Sequence, residues 1–353
     1  GRPDPASRAE NLILHSQEYH TSYWGHLGLL GLGSHVLLPA YAAYVKTAAA
    51  SPFPDNARIA DLAREQGAIV GYVHPFDAAP EPEKGDVRSP LTAAGFAAGD
   101  PIGLAVDAAL GKIDYYEVVG FSDHRASEAV WHRLLNCGFR IPAGAGTDAM
   151  TNYASLRGPL GMNRAYAKID GPPDEQRFLA AVRAGRTFAT NGPLLELTLA
   201  GQDVGSKIVR PRGRHRLEAK VRLRSIVPVD HLQVVGNGGV LAEVPLEAGG
   251  TSADATVPLT VDRSGWYTLR AFSLTSRAPI LDIYPFATTS PIYVTVGGAP
   301  ARSPEDARYF LAWLDRVREA AAAHPDWNTR EEREEVLDRL ARARAVFLER
   351  VAR

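Results

Sequence analysis

Short apolar runs alternate with amphipathic helical segments until about residue 193, and then the alternation stops. NLILHSQEYH reads as an apolar strand followed by an alternating one, and GHLGLLGLGSH as a further strand. DNARIADLAREQG carries a helix signature: Asp55 or Asn56 as N-cap, Ile59, Leu62 and Ala63 on one face, Gly67 as the stop. AIVGYVHP follows as a short buried strand ending at His74-Pro75. KIDYYEVVGFSDH is another strand, RASEAVWHRLLNCG a helix that closes on Gly138 and leaves His132 exposed, and FRIPAGAGTDAM a third strand and turn. DEQRFLAAVRAG is one more helix, capped by Asp174 and stopped by Gly185. Residues 79–101, with several prolines and acids, read as loop. Helices between short apolar strands argue for parallel βα units, hence an α/β barrel or a doubly wound sheet.

Beyond Leu195 the pattern has period two. HRLEAKVRLRS alternates Leu217, Ala219, Val221 and Leu223 with charges, and DHLQVVGNGG, ATVPLTV, SGWYTLRAF and SPIYVTV follow at strand length. Strands without intervening helices predict a small β-sandwich over 194–299. From 303 the chain turns helical. Ser303 and Pro304 open one helix with Phe310, Trp313, Leu314 and Val317 on a stripe, and Thr329 with Glu332 makes a capping box for a second. The expected division is therefore 1–193, 194–299 and a helical hairpin over 300–353.

Charge and composition narrow the partners. The formal net charge of 353 residues is -1, which gives no basis for a nucleic-acid or anionic-membrane partner. No apolar run reaches the ~18–20 residues that span a bilayer. The single cysteine, Cys137, rules out an intrachain disulfide framework. A nucleophile elbow GxSxG is absent, and GAGTDA lacks the GK[ST] ending of a phosphate loop.

Residues 15–35, HSQEYHTSYWGHLGLLGLGSH, hold four of the ten histidines and one glutamate. Neutral imidazole and carboxylate are what Zn²⁺, Mn²⁺ or Fe²⁺ accept. Such groups stand at the ends of predicted strands in three places: Glu18, His20 and His26; His74; and Asp148. In a parallel α/β architecture those strand ends share one rim, where active sites gather. His124, in FSDH, is open to reading as a ligand, a proton shuttle or a surface residue.

HSQEYHTSYWGHLGLLGL, GYVHPF, VDAALGKIDYYEVVGFSDH, LLNCGFRIPAGAGTDAMTNYASLRGPLGMNRAY, GRTFATNGPLL and YPFATTSPIYV resemble the CehA/McbA family of metallohydrolases, a branch of the PHP (polymerase and histidinol phosphatase) superfamily. The resemblance runs over essentially the whole chain. It implies a distorted (βα)₇ barrel with divalent metals at its C-terminal rim, followed here by the β-sandwich and the helical hairpin. It also implies hydrolysis of ester-type bonds, whether carbamate, carboxyl ester or phosphoester, by a metal-activated water. Glu18 matches the metal-bridging glutamate, His26 and His74 match ligands of the second metal, and Asp148 matches the late aspartate on the first.

Two departures stand out. The HxH pair that opens such domains is absent, and the usual late DxH reads Asp148-Ala149-Met150. A thioether is a poor ligand for a hard divalent ion, so two ions are expected, not three. The chain also starts without Met and runs straight into a predicted strand. The expectation is an upstream segment carrying the HxH and the first strand, with barrel and site incomplete without it. His20 lies two residues past Glu18 and on a continuous strand shares its face, so His20 or His124 is the expected general acid. Asn152, Tyr153, Arg157 and Arg164 are expected to contact substrate, the arginines suiting an anionic group. The expected partner is a small-molecule substrate, with self-association left open and a cytoplasmic location. The rival expectation is a non-catalytic metal- or carbohydrate-binding module.

Overall fold

The computed structural model describes residues 3–21, 23–44, 46–81, 100–152 and 157–352. Its elements run β1 (Gln17–Thr21), β2 (Leu27–Leu30), β3 (Tyr41–Ala42), α1 (Asn56–Glu65), β4 (Ile69–Tyr72), α2 (Leu104–Ala109), β5 (Tyr115–Val119), α3 (His124–Asn136), β6 (Ala143–Ala145), β7 (Arg164–Ala167), α4 (Glu175–Arg183) and β8 (Thr187–Thr190). Ten further strands follow: β9 (Leu194–Leu199), β10 (Gln202–Asp203), β11 (Lys207–Arg210), β12 (His215–Arg224), β13 (His231–Gly236), β14 (Gly239–Glu243), β15 (Ser252–Val261), β16 (Gly265–Phe272), β17 (Phe286–Thr289) and β18 (Ile292–Val296). Helices α5 (Pro304–Ala323) and α6 (Arg330–Ala352) end the chain. Two compact units emerge. Gly1–Asp114, Pro172–Leu179 and Ser303–Arg353 form the first, Tyr115–Gly171 and Ala180–Arg302 the second. The protein is thus a mixed α/β chain with several sheets, and among the described residues no helix is long and apolar enough to cross a membrane.

In the first unit the strands lie in the order β3-β1-β2-β4. β1 pairs with β2, and β2 with β4, antiparallel; only β3 joins β1 in parallel. This corrects the expected run of parallel βα units closing into a (βα)₇ barrel: among the described residues the sheets stay open. The cause lies partly in a short connection. Only residues 22–26 separate Thr21 from Leu27, and a parallel crossover needs about a dozen residues or more. The NLIL run also differs from expectation. It forms only an isolated bridge at Asn11 and one at Leu14, and Ile13 is exposed. Its bridge partners, Arg8 and Pro3, belong to the segment just before it, so no sheet buries its side chains.

Helix α1 starts where expected, with the Asp55 side chain accepting from the Arg58 amide, and it stops at Gly67, whose φ is +86°. The terminal hairpin is capped as its sequence implies. Ser303 Oγ accepts from the Asp306 amide at 3.2 Å, and Thr329 Oγ1 from the Glu332 amide at 3.2 Å. α5 buries Phe310, Trp313, Leu314 and Val317, and α6 buries Val336, Leu340, Ala343 and Phe347. Phe310 and Phe347 stack with centroids 5.0 Å apart. Arg339 of α6 reaches the α1 cap, its Nη1 2.6 Å from Asp55 Oδ1.

In the second unit β5, α3 and β6 make a parallel βαβ element. The period-two region builds two sheets, one of which also takes in β8 and β7 from before residue 194. One has the order β10-β9-β12-β15, and the other runs β11-β18-β16-β17-β8-β7, with β13 on β16 and β14 on β13. On β12 Leu217, Ala219, Val221 and Leu223 are buried and the charges between them exposed. They share one core with Leu232, Val234, Leu269, Ala271 and Val294 of the facing sheet. His132 corrects an expectation. It is buried, because α3 packs on β5 and also on β16, and the stripe of His124, Glu128 and His132 is covered. Its ring lies between Trp131 and Trp266, at 5.4 and 4.5 Å.

That burial has a consequence for pH. Desolvation holds the His132 imidazole down at about 4, against the Glu128 carboxylate, which favours the cation. The unfolded chain therefore takes up this proton first, near pH 6.5, and stability is lost as pH falls from there towards 4. Between pH 7 and pH 5 the wild type should lose roughly 2 kcal/mol more than His132→Phe does. Urea unfolding of both proteins at the two pH values measures the difference, and equal losses would contradict it.

Candidate metal centre

Register brings three imidazoles to one carboxylate. Glu18 and His20 sit two apart on β1, with Tyr19 and Thr21 buried on the other face. Across the hairpin Glu18 stands opposite Gly28, and Gly28 opposite Gly71 of β4. The row through Glu18 therefore carries no other side chain on those two strands, which leaves room for its carboxylate. The same register, carried two residues on, sets His20 opposite His26, and their ring centroids are 4.2 Å apart.

The turn between them is pinned. Gly25 has φ +91°, and a Cβ there would lie 2.3 Å from Pro101 Cα, so only glycine fits. Asn56, the first residue of α1, donates from Nδ2 to the Gly25 carbonyl at 2.9 Å. His26 is thereby held at the mouth of β2. His74 arrives differently. β4 ends at Tyr72, and an extended chain would turn the side chains of residues 73 and 74 to opposite faces. His74 instead has φ +33°, an uncommon conformation for a non-glycine residue, and its ring swings to Glu18.

The resulting geometry is tight. Glu18 Oε1 is 2.9 Å from His26 Nδ1 and 2.9 Å from His74 Nε2, and those two nitrogens are 3.2 Å apart. His20 Nε2 is 3.4 Å from Glu18 Oε2. Burial pushes the Glu18 carboxyl up, but hydrogen bonds from His20, His26 and His74 outweigh it and hold the group well below the usual carboxylate range. Glu18 is an anion at neutral pH.

The donor set fits a transition-metal ion. Two imidazole nitrogens and one carboxylate oxygen suit Zn²⁺, Mn²⁺ or Fe²⁺. With bonds of about 2.0–2.1 Å, tetrahedral ligand atoms sit roughly 3.3–3.4 Å apart, so an ion would need these three atoms to separate by only a few tenths of an ångström. Side-chain exposures of 30% for Glu18, 21% for His26 and 18% for His74 leave the cluster open to a further ligand. His20, outside this triad, is 38% exposed and stands beside Tyr41 of β3, with ring centroids 5.4 Å apart.

The other candidates belong to the second unit. Asp148, with φ +55°, is ion-paired with Arg157, whose guanidinium also lies 5.0 Å from the Phe121 ring centroid. Arg164 on β7 donates to the Met162 carbonyl at 2.9 Å and, over longer contacts, to the Gly161 carbonyl and the Tyr166 hydroxyl. Asn152 is exposed, and Tyr153 lies outside the described residues.

His124 starts α3 and is fully buried, with Nε2 2.9 Å from Asp282 Oδ2. Asn191 Nδ2 donates to the same Asp282 oxygen and to the Tyr284 carbonyl, both at 2.8 Å, and its Oδ1 accepts from the Phe286 amide. Burial raises the Asp282 carboxyl, but the hydrogen bonds from His124 and Asn191 prevail and lower it. Sequence reading singled out His124 but not its tie to Asp282 and Asn191. Nothing local could have joined them to His124, since Asp282 lies 158 residues away. Tyr41 was missed too.

Comparison of the chain with family models, with curated proteins and with solved structures found no match.

Proposed function

We propose that the first unit is a metal-dependent hydrolase of ester-type bonds, with one divalent ion held by Glu18 Oε1, His26 Nδ1 and His74 Nε2. The observation that carries this reading is the convergence of those three atoms within 3.2 Å of one another, on side chains that still reach solvent. Similarity of the Glu18, His26 and His74 motifs to those of CehA/McbA metallohydrolases supports it. A bound ion would supply Lewis acidity and a water acidified towards neutrality.

The chain's own residues do the rest. Glu18 sets a negative charge against the ion. His26 and His74 must each present a lone pair, so His26 carries its proton on Nε2 and His74 on Nδ1. His20 contacts the Glu18 oxygen not shared by the other two rings, and its exposure places it to hand a proton to a leaving group. The buried His124 has no such access to solvent. Among ester classes, the exposed ring of Tyr41 beside His20 favours a carbamate or carboxyl ester. Arg157 and Arg164, the cations a phosphoester was expected to meet, are already engaged with Asp148 and with backbone carbonyls.

The test is turnover of an aryl carboxyl ester, an aryl carbamate and an aryl phosphoester by protein stripped with chelator and then loaded with Zn²⁺, Mn²⁺ or Fe²⁺. Activity should vanish on chelation, return with metal and disappear in His74→Ala. His20→Ala should lower kcat more than it lowers metal affinity. Metal binding with no turnover of any of the three would overturn the hydrolase reading and leave a metal-binding module.

A further inference from the structure

The second unit carries a feature that the metal centre does not use. KIVRPRGRHR, residues 207–216, has five lysines and arginines, one histidine and no acid. Its middle lines a cleft of about 420 Å³ beside the end of β18. Arg212, Arg263 and Arg302 all face this cleft, with Asp262 as the one carboxylate among its lining residues. Among the described residues, neither Arg212 nor Arg263 is engaged in an ion pair.

The walls are tied together. β11 runs parallel to β18, and the Gly297 amide donates to the Arg210 carbonyl at 2.9 Å. Ser264 Oγ accepts from the Val296 amide at 2.8 Å and donates to the Ala299 carbonyl, fastening the 262–264 loop to the 296–299 turn. Gly297 has φ +61°, and a Cβ there would lie 2.4 Å from Arg212 Cγ. Glycine at 297 is what lets the Arg212 stem lie flat over the turn. The guanidiniums of Arg212 and Arg263 are thus carried by segments fastened to the turn after β18 rather than by one loose loop. An excess of guanidinium over carboxylate, in a cleft with room for more than a single small ion, suits a multivalent oxyanion, of which a di- or polyphosphate is one class.

We propose that this cleft binds a small multivalent oxyanion of the di- or polyphosphate type, through Arg212, Arg263 and Arg302. The site is independent of the metal centre and stands or falls without it. Inorganic pyrophosphate is the probe, titrated calorimetrically into the metal-free full chain. One pyrophosphate per chain is expected, binding more tightly than inorganic phosphate and weakening as salt rises. Arg212→Glu and Arg263→Glu should each weaken binding at least about tenfold, and the milder Arg212→Gln and Arg263→Gln should weaken it in the same sense. Lys220→Glu makes the same charge change on the exposed face of β12 and should leave affinity within about twofold. Circular dichroism of each variant confirms that it is folded. Absence of saturable binding, equal affinity for phosphate and pyrophosphate, or equal weakening by Lys220→Glu would overturn the proposal.

Discussion

Trp313→Ala is expected to destabilise the protein by roughly 4 kcal/mol, within the ~3–5 kcal/mol span of buried tryptophan truncations. Trp313 is fully buried on α5, against the edge of Phe76 at 5.9 Å and beside Phe310 at 5.7 Å. Its indole Nε1 donates to the Ile102 carbonyl at 2.8 Å. Truncation removes the ring, opens a cavity and leaves that carbonyl without its donor, and the last of these alone costs about 1–3 kcal/mol when the group stays dry. Trp313→Phe keeps most of the packing and loses the hydrogen bond, so its cost should be clearly smaller. Urea unfolding followed by circular dichroism measures both. A loss below about 1 kcal/mol for Trp313→Ala would mean that the hairpin stripe does not hold the first unit together.

Glu18→Gln is expected to weaken metal binding at least about 100-fold, because it removes a ligand where loss of a mere supporting contact already costs 10–100-fold. The change keeps the shape of the side chain and deletes its charge. His26 and His74 then face an amide in place of the anion that all three imidazoles share. Competition against a chromophoric chelator measures the affinity. His20→Ala provides the contrast. Its ring contacts the other carboxylate oxygen, outside the triad, so metal affinity should fall far less. Equal losses for the two variants would mean that His20 belongs to the centre on the same footing as Glu18, against a three-residue site.

The cluster was legible in sequence because its parts stand at the ends of short apolar runs, where strand periodicity puts Glu18 and His20 on one face. Caps were legible for the same local reason: Asp55, Ser303 and Thr329 each bond an amide three residues on. The alternation of β12 needed nothing but its own residues. What escaped depends on partners remote in the chain. Antiparallel pairing of β2 with β4 follows from long-range register, which periodicity does not encode. His132 has the sequence context of a surface histidine, and it is buried because β16, more than 130 positions later, covers its stripe. The left-handed backbone at His74 has no composition signal at all, yet it turns that ring to Glu18. Asp282 and Asn191 meet His124 from two separate later segments.

The most direct test of the account is the metal content and metal coordination of the purified chain. Protein loaded with Zn²⁺ and dialysed should retain one ion per chain, and X-ray absorption at the zinc edge should show two imidazole nitrogens and light-atom oxygen neighbours. The double variant Glu18→Ala, His74→Ala should retain none while staying folded. A wild-type chain that retains no ion, or a double variant that holds zinc as tightly as the wild type, would contradict a metal centre at Glu18, His26 and His74.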